Sequence, residues 1–438
     1  MSEIHAKEII DAGIQAVDPY RLIFNRLRIE DDVLHLPDSE ILNLGSFDRI
    51  FICGAGKGTA PMTRAMEELL GNRISGGDII VKYGHGTGLD YVRLHEAAHP
   101  IPDEAGLKAT RVLLNGIEGL SEKDCVFMLI TGGGSALLES LPPTVSLQDL
   151  QGLSKILLGC GATIHEINCI RKHISLIKGG QLARRIFPAT CISLILSDVI
   201  GDNLGVISSG PTSPDQTTFQ DAAAIVEKYN IKDKLPESIH SYLDGGAAGD
   251  YPDTPKDGDP VFAKVKNLII GNNRLALMKA EKCAGKFGYN TLVLTSMVQG
   301  EAREIGVLLA AIIKEIQESN VPVSRPACIL LGGEPTVRIT GKGKGGRNQE
   351  LALAVALCDI SQPYIFASVG TDGTDGPTDA AGAIVTHRTI TRAHSLGMNA
   401  REYLNNNDSY HFFEKLDDLV KTGPTGTNVM DLIFALVP

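Results

Sequence analysis

The stretch that decides the fold class is RIFICGAGKGT, which runs from Arg49 to Thr59. An apolar run gives way to a glycine-rich turn, and residues 60–70 then have the spacing of a helix. The order of strand, glycine turn and helix is typical of a parallel α/β sheet. Amides of such a turn can face an anion at the helix N-terminus. Gly54, Gly56 and Lys57 are therefore candidate nucleotide-binding or catalytic residues, the alternative being a plain tight turn.

Three further apolar runs resemble the first. They predict strands over 78–82, 125–130 and 191–196, and each is followed by Gly, Ser or Asp. Continuous apolar strands separated by helices indicate a parallel sheet that is covered on both faces. The polar residues then gather at the carboxyl ends of the strands, where sheets of this kind bind ligands.

The Gly- and Pro-rich segment Asp244–Pro260 is predicted to separate two domains. A length of 438 residues also favours two domains over one. Beyond the segment the pattern predicts a second α/β series. Its strands are predicted over 266–270, 290–294, 328–331 and 364–369, and its helices over 273–287, 300–318 and 347–358. One further strand is predicted over 431–437, in the C-terminal tail.

The composition excludes several classes of function. Lys and Arg number 41 and Asp and Glu number 52, so the net charge is −11, which argues against nucleic acid and anionic membranes as partners. The N-terminal residues lack the pattern of a signal peptide, and no apolar run is long enough to span a membrane. The eight cysteines include no C-x-x-C pair, which predicts reduced thiols and a cytoplasmic protein.

A second candidate anion loop is TGGGS, from Thr131 to Ser135. Gly132, Gly133 and Gly134 follow a predicted buried strand and precede a helix, so they are candidate nucleotide-binding residues. Ser135 can donate a hydrogen bond to a phosphate or carboxylate or, alternatively, cap the helix.

Asp198 follows the strand predicted over 191–196, where an acid is costly unless it is paired or metal-bound. A hard cation that carries substrate phosphates would suit it, and helix capping is the alternative. Gly210, in the motif Ser208-Ser209-Gly210, is a further candidate for nucleotide binding. His85 and His99 are interpreted as loop residues.

The most specific motif is GGEPT at 332–336 followed by GKGKGGRNQE at 341–350. A mobile glycine loop that brings Arg347 to a phosphoryl group is the functional interpretation, and a solvated basic loop is the alternative. The candidate nucleotide-binding residues of the motif are Gly333, Glu334, Gly345 and Gly346.

A last acidic loop, VGTDGTDGPTD, runs from Val369 to Asp379. Asp372 and Asp375 are candidate metal ligands there, although the spacing does not fit an EF-hand. An Asp/Gly turn without a ligand is the alternative. No spacing of histidines and acids predicts a zinc site.

Together these motifs resemble the class II glycerate kinases, the glycerate 2-kinase family with a C-terminal MOFRL domain. The matching stretches cover nearly the whole chain in order: Gly54–Met62, His99–Gly106, Leu129–Leu138, His165–Gly180, Leu196–Asp215, Leu331–Leu351, Ser368–Gly382 and Thr422–Asn428.

The resemblance implies a Rossmann-like αβα domain with a parallel sheet over residues 1–244 and a smaller α/β MOFRL domain over 261–398. It also suggests that a tail of about 399–438 folds back onto the first domain. The implied reaction transfers the γ-phosphoryl group of ATP to the 2-hydroxyl of D-glycerate with Mg²⁺. The family's working lysine and arginine fall on Lys57 and Arg347.

Two other functions stay open at this point. An NAD(P)-dependent hydroxypyruvate reductase would use the first glycine turn, although Thr59 stands where the dinucleotide fingerprint has its third glycine. A phosphosugar-binding regulator would use Thr131–Ser135 and leave Gly341–Arg347 without a role. A small-molecule substrate is expected in each case, and a homodimer is neither indicated nor excluded.

Overall fold

The computed structural model describes residues 3–438, which divide into two compact units. The first unit comprises Pro19–Ser197 and Asp202–Ile270. The second comprises the chain up to Asp18, Asp198–Gly201 and Gly271–Pro438. Within residues 3–438, no helix is long and apolar enough to cross a membrane.

The helices are α1 Glu3–Gln15, α2 Pro19–Arg26, α3 Thr59–Leu70, α4 Glu104–Gly116, α5 Gly134–Leu137, α6 Leu147–Gly159, α7 Ile164–His173, α8 Gln181–Ile186, α9 Phe219–Lys228, α10 Glu237–Ala248, α11 Asn273–Lys286, α12 Ala302–Ser319, α13 Arg347–Ala356, α14 Thr389–Ser395, α15 Ala400–Asn405 and α16 Ser409–Leu416.

The strands are β1 Arg28–Glu30, β2 Val33–His35, β3 Ile41–Asn43, β4 Arg49–Ala55, β5 Ile74–Gly76, β6 Asp78–Lys82, β7 Arg93–Ala97, β8 Asp124–Ile130, β9 Thr190–Leu196, β10 Val265–Gly271, β11 Asn290–Val298, β12 Ala327–Gly333, β13 Ile365–Gly370, β14 Gly382–Thr386, β15 Leu419–Val420 and β16 Asp431–Val437.

The main sheet of the first unit has the order β10-β9-β8-β4-β6-β7, with β5 also paired to β4. The pairs among β4 to β9 are parallel, which confirms the predicted α/β class. Ion pairs mark the amino ends of the strands: Arg49 binds Asp124 on β8, and Arg93 binds Asp78 on β6, each opposite its partner in register. The glycine loops lie at the opposite, carboxyl ends.

The sheet of the second unit has the order β11-β12-β16-β13-β14-β15, and only β11 and β12 pair in parallel. Strand β16 lies at its centre and is buried throughout. Its side chains alternate between two cores. Ile433 packs in a cluster with α12 and α13, whereas Phe434 packs in a cluster with α1 and α11. This alternation is what burial of both sheet faces requires.

Two predictions about domain organisation differ from the structure. The tail of about 399–438 does not fold back onto the first domain, because β16 pairs with β12 and β13 in the second sheet. Nor does Asp244–Pro260 form a linker between units, because its first residues belong to α10 and the division falls after Ile270. Gly246 serves close packing instead, since a Cβ there would lie 2.2 Å from the ring of Phe219.

Candidate active site

The first glycine turn joins β4 to α3 and is fixed by the loop that follows β8. The amide of Lys57 donates to the carbonyl of Gly132 at 2.9 Å, and the amide of Gly58 donates to Thr131 Oγ1 at 3.0 Å. Gly56 has a φ of +139°, and a Cβ there would lie 2.1 Å from the same threonine hydroxyl. The two loops therefore form one continuous surface that carries the Lys57 side chain.

The second glycine loop, Gly132–Ser135, leads directly into α5. Gly133 has a φ of +90°, which glycine adopts without strain. A Cβ on Gly133 would lie 3.0 Å from His99 Cδ2 and 3.6 Å from Lys57 Cγ. A histidine, a lysine and a glycine loop therefore meet at the carboxyl edge of one sheet. Sheets of this type bind their ligands at that position.

Ser135 does not cap α5, because the capping position belongs to Gly133 and has no side-chain hydrogen bond. Ser135 Oγ lies instead 2.7 Å from Ser209 Oγ, which donates to Asn168 Oδ1 at 3.3 Å. Ser208 and Ser209 have φ values of +50° and +61°, an uncommon conformation for non-glycine residues. Such strain is concentrated at functional sites, where the surrounding contacts hold it.

His85 and His99 lie beside Lys57 in the same unit. Burial lowers the pKa of both imidazoles, and the charges of Lys57 and Lys82 lower both further, although a backbone hydrogen bond to Lys57 partly opposes the shift of His85. For His99 the resulting pKa is about 4. Its imidazole is therefore neutral near pH 7, and the charges next to this loop come from lysines.

In the second unit Arg347 is the first residue of α13 and is held by two carboxylates. Its Nε and Nη2 atoms donate to the two oxygens of Asp431 at 2.6 and 3.0 Å, and its Nη1 atom donates to Glu334 at 2.8 Å. Asp431 begins the central strand β16 and lies in register with Gly333 and Gly370 on either side. Burial raises the pKa of Asp431 to about 6, an effect that Arg347 opposes.

Arg347 lines a pocket of 850 Å³ that lies within the second unit. Charged and polar side chains line much of it, and Pro335, Val337 and Pro377 add apolar surface. Small-molecule sites combine apolar surface with polar groups that fix the orientation of the ligand. The polar lining residues include Glu334, Arg347, Glu350, Asp372, Thr374, Asp375 and Asn407.

The loop before Arg347, residues 340–346, was predicted to be mobile. In the structure, hydrogen bonds to residues 406–408 hold it in place. The amides of Thr340 and Gly341 both donate to Asn407 Oδ1 at 2.8 Å, and the amide of Lys344 donates to Asp408 at 2.9 Å. A Cβ on Gly341 would lie 2.2 Å from a backbone carbonyl oxygen. The glycines of this loop permit close packing, so Arg347 is preorganised rather than delivered by a flexible arm.

The predicted metal ligands have different surroundings. Asp375 is buried and accepts hydrogen bonds from the amides of Asn348 and Gln349 at 3.1 and 2.9 Å, so it caps α13, and burial raises its pKa. Asp372 is half-buried at the pocket, and its Oδ1 accepts two hydrogen bonds from Thr374. Among residues 3–438, no three His, Cys, Asp or Glu side chains form a metal-binding group. Both oxygens of Asp375 accept hydrogen bonds from the start of α13, and its role as a metal ligand stays a prediction.

Several predicted nucleotide-binding glycines have a packing reason to be glycine. A Cβ at each position would lie 2.6 Å or less from another atom, which is closer than a real Cβ approaches a non-bonded atom. Ligand binding by these positions stays a prediction. They are Gly54 against Leu129 O, Gly210 against Ser213 Oγ, Gly333 against Val298 O, Gly345 against Ser409 Oγ and Gly346 against Asp375 Cγ.

Sequence reasoning missed two residues of these sites. Asp431 was seen only as the start of an apolar strand, although an acid at the head of a buried strand signals a charged partner. His99 was interpreted as a loop residue, although it closely follows β7 at the carboxyl edge of the sheet. Its position relative to that edge was the available signal.

Comparison with known proteins places both units in recognised families. Residues 5–244 match the family model described as a domain of unknown function, DUF4147, and residues 327–431 match the MOFRL family. The first match alone covers more than half of the chain.

Full-length relatives carry names that refer to glycerate or hydroxypyruvate. A D-glycerate 2-kinase from Thermotoga maritima is 41% identical over 99% of this chain and 97% of its own length. A protein from Agrobacterium vitis with a provisional name as hydroxypyruvate reductase is 38% identical over 98% of this chain and 93% of its own. The crystal structure of a glycerate kinase from Thermotoga maritima superimposes with a TM-score of 0.88 at 40% identity, covering 99% of both chains.

Proposed function

The chain belongs to the MOFRL family of glycerate kinases, and from this premise we propose that it transfers the γ-phosphoryl group of ATP to the 2-hydroxyl of D-glycerate. The observation that carries the proposal is similarity to a D-glycerate 2-kinase over almost the entire length of both chains. The relative's name supplies the substrate, its stereochemistry and the hydroxyl.

The residues of the first unit support this reaction. Phosphoryl transfer needs little covalent chemistry from the protein and depends on positioning and charge neutralisation. The amides of Lys57 and Gly58 are already bonded to the second glycine loop, which lies at the carboxyl edge of the sheet. Amides of that second loop suit phosphate oxygens, because they precede a helix N-terminus. Lys57 adds a compact positive charge to that surface. We assign it to the phosphoryl oxygens, on which negative charge is concentrated during transfer.

Arg347 supports the reaction in a different way. Its guanidinium is fixed by Asp431 from one side, so little conformational freedom remains to be lost when an anion binds. Five N–H donors are available on a guanidinium, and three are used by Asp431 and Glu334. The remaining donors suit a phosphate or carboxylate oxygen. We propose that ATP or the acceptor occupies the pocket that Arg347 lines.

We propose that a divalent cation uses two of the predicted acids. Mg²⁺ is usually held by one or two carboxylates together with substrate phosphates, so a three-ligand protein cluster is not required. Asp372 and Asp198 are the carboxylates that we propose for this role. Both belong to the second unit, whereas Asp375 is committed to α13. When bound, Mg²⁺ would neutralise part of the charge of the ATP phosphates.

The name of the Agrobacterium vitis relative favours a second candidate, a hydroxypyruvate reductase. The first glycine turn argues against it, because Thr59 replaces the third glycine of the dinucleotide fingerprint and β6 ends at Lys82 rather than an acid. A single pair of assays separates the candidates. We expect purified protein to release ADP from ATP only when D-glycerate is present and to leave NADH and NADPH unchanged with hydroxypyruvate. Hydroxypyruvate-dependent NADH loss without ADP release would reject the kinase.

A further inference from the structure

His99 has the surroundings of a reacting group rather than a structural one. Its imidazole packs against the glycine loop, 3.0 Å from the Cβ position of Gly133, and is only half-buried. No hydrogen bond from either ring nitrogen to another protein group is found within residues 3–438. His173, by contrast, uses both ring nitrogens, at 2.7 Å to Cys169 O and 3.0 Å to Asp253.

The place of His99 in the fold brings it to the predicted anion surface. It comes shortly after β7, while Lys57 follows β4 and Gly133 follows β8. These strands are parallel members of one sheet, so their carboxyl ends lie along the same edge. His99 thus adds an imidazole, beside that of His85, to an edge that also offers hydroxyls and ammonium groups.

The charged groups that act on His99 are all positive. They are Lys57 in the first glycine turn and Lys82 at the end of β6, and the imidazole of His85 lies nearby with a lowered pKa of its own. The acids on either side of it in the sequence have other partners: Glu96 accepts from the amide of Gly84, and Asp103 accepts from the amide of Gly106 and the hydroxyl of Tyr83. Burial and the positive neighbours lower the pKa of His99 to about 4. The imidazole is neutral at pH 7, and an anionic ligand would raise its pKa toward the usual range.

We propose that His99 is the catalytic residue that accepts the proton of the acceptor hydroxyl during phosphoryl transfer, an assignment that rests on the proposed kinase function. The O–H bond of the 2-hydroxyl breaks as an N–H bond forms on the imidazole. The hydroxyl oxygen bonds to the γ-phosphorus of ATP. The bond from that phosphorus to the β–γ bridging oxygen breaks, and its electron pair leaves with ADP. The imidazolium then returns its proton to water.

This assignment explains why the imidazole has no protein partner. A proton acceptor needs a ring nitrogen that faces the reacting hydroxyl, within hydrogen-bond reach or through one water. The positive neighbours keep that nitrogen unprotonated before substrates bind. The negative charge of ATP and glycerate would then increase its basicity in the complex, where proton transfer takes place.

The test compares His99→Asn with the wild type and with His394→Asn, which changes an exposed histidine on α14 in the same way. We expect His99→Asn to lower kcat at least about 100-fold, in the range typical of general acid–base catalysis. KM should change little, and the acidic limb of the pH–kcat profile should disappear. Activity of His99→Asn within threefold of wild type, or a lower kcat with an unchanged pH profile, would overturn the proposal.

A measurement on the wild type avoids any effect of the substitution on folding. NMR of protein labelled with ¹³C-histidine should show the pKa of His99 rising by at least about one unit on saturation with D-glycerate and a non-hydrolysable ATP analogue, since anions favour the charged imidazole. An unchanged pKa would contradict the role. Absence of glycerate-dependent ADP release by the wild type would reject the proposed function itself, whereas an active wild type with an active His99→Asn would reject only His99.

Discussion

Lys57 and Arg347 are the two cations assigned to the same reaction, and the structure surrounds them differently. Arg347 is anchored by the buried Asp431 and the half-exposed Glu334. No ion pair or hydrogen bond of the Lys57 ammonium is found in the part of the chain that the structure describes, and only its backbone is fixed. An arginine that must present a planar fork benefits from rigid carboxylates, whereas a lysine acts as a point charge and needs none.

The largest expected effect comes from removing the anchor of Arg347. Asp431→Ala leaves a guanidinium without its buried partner, and breaking such a pair typically costs about 3–5 kcal/mol. We expect a loss of that size in the free energy of unfolding, measured by urea denaturation, together with a lower kcat/KM. A loss below about 1 kcal/mol would show that Arg347 is solvated and that the anchor is unimportant.

Lys57→Ala should separate activity from stability. Removing a charge that stabilises the transferring phosphoryl group should cost roughly 3–4 kcal/mol of transition-state stabilisation, by analogy with the loss of an oxyanion donor. The melting temperature should hardly change, because the ammonium has no protein partner. Lys342→Ala, in the loop of residues 340–346 of the second unit, is the control and should keep wild-type turnover. Near-normal turnover of Lys57→Ala would contradict the assignment.

Arg347→Lys keeps the positive charge but removes the planar guanidinium, which can bind two oxygens at once. A lysine cannot bind both oxygens of Asp431 and a ligand with one planar group. We expect kcat/KM to fall about tenfold or more, equal to at least ~1.4 kcal/mol. Wild-type kinetics of this variant would mean that any cation suffices at the pocket.

The smallest effect is expected at Glu334. Its side chain is 47% exposed, and exposed ion pairs contribute about 0–1 kcal/mol. Glu334→Gln should change the free energy of unfolding by less than about 1 kcal/mol while Asp431 keeps Arg347 in place. A change as large as that of Asp431→Ala would show that the two carboxylates contribute equally to holding Arg347, which would contradict the assignment of Asp431 as its main anchor.

The sequence predicts elements well where apolar runs are continuous. Strands were predicted over 78–82 and 431–437, the same bounds as β6 and β16. A continuous apolar run indicates a strand that is buried on both faces of its sheet. It can be recognised from a few consecutive residues alone. The glycine turns after β4 and β8 were also predicted at strand ends, because such turns follow from the connections of a parallel sheet.

Prediction from the sequence fails where contacts between residues distant in the sequence determine the structure. Gly341, Gly343 and Gly345 suggest flexibility, yet they are needed because residues 406–409 approach too closely for a side chain. Gly246 suggested a linker and instead allows a helix to contact Phe219. The tail joins the second sheet, since β16 fills the place between β12 and β13. None of these partners is near in sequence, so no local pattern could reveal them.

The most direct test of the proposed reaction is the position of the phosphate on the product. The protein is incubated with ATP, Mg²⁺ and D-glycerate, and the product is examined by two-dimensional ¹H–³¹P correlation NMR. The account predicts coupling of the new phosphorus to the single proton on C2, which identifies 2-phospho-D-glycerate. Coupling to the two protons on C3 would contradict the assigned hydroxyl, and absence of any phosphorylated glycerate would contradict the kinase function.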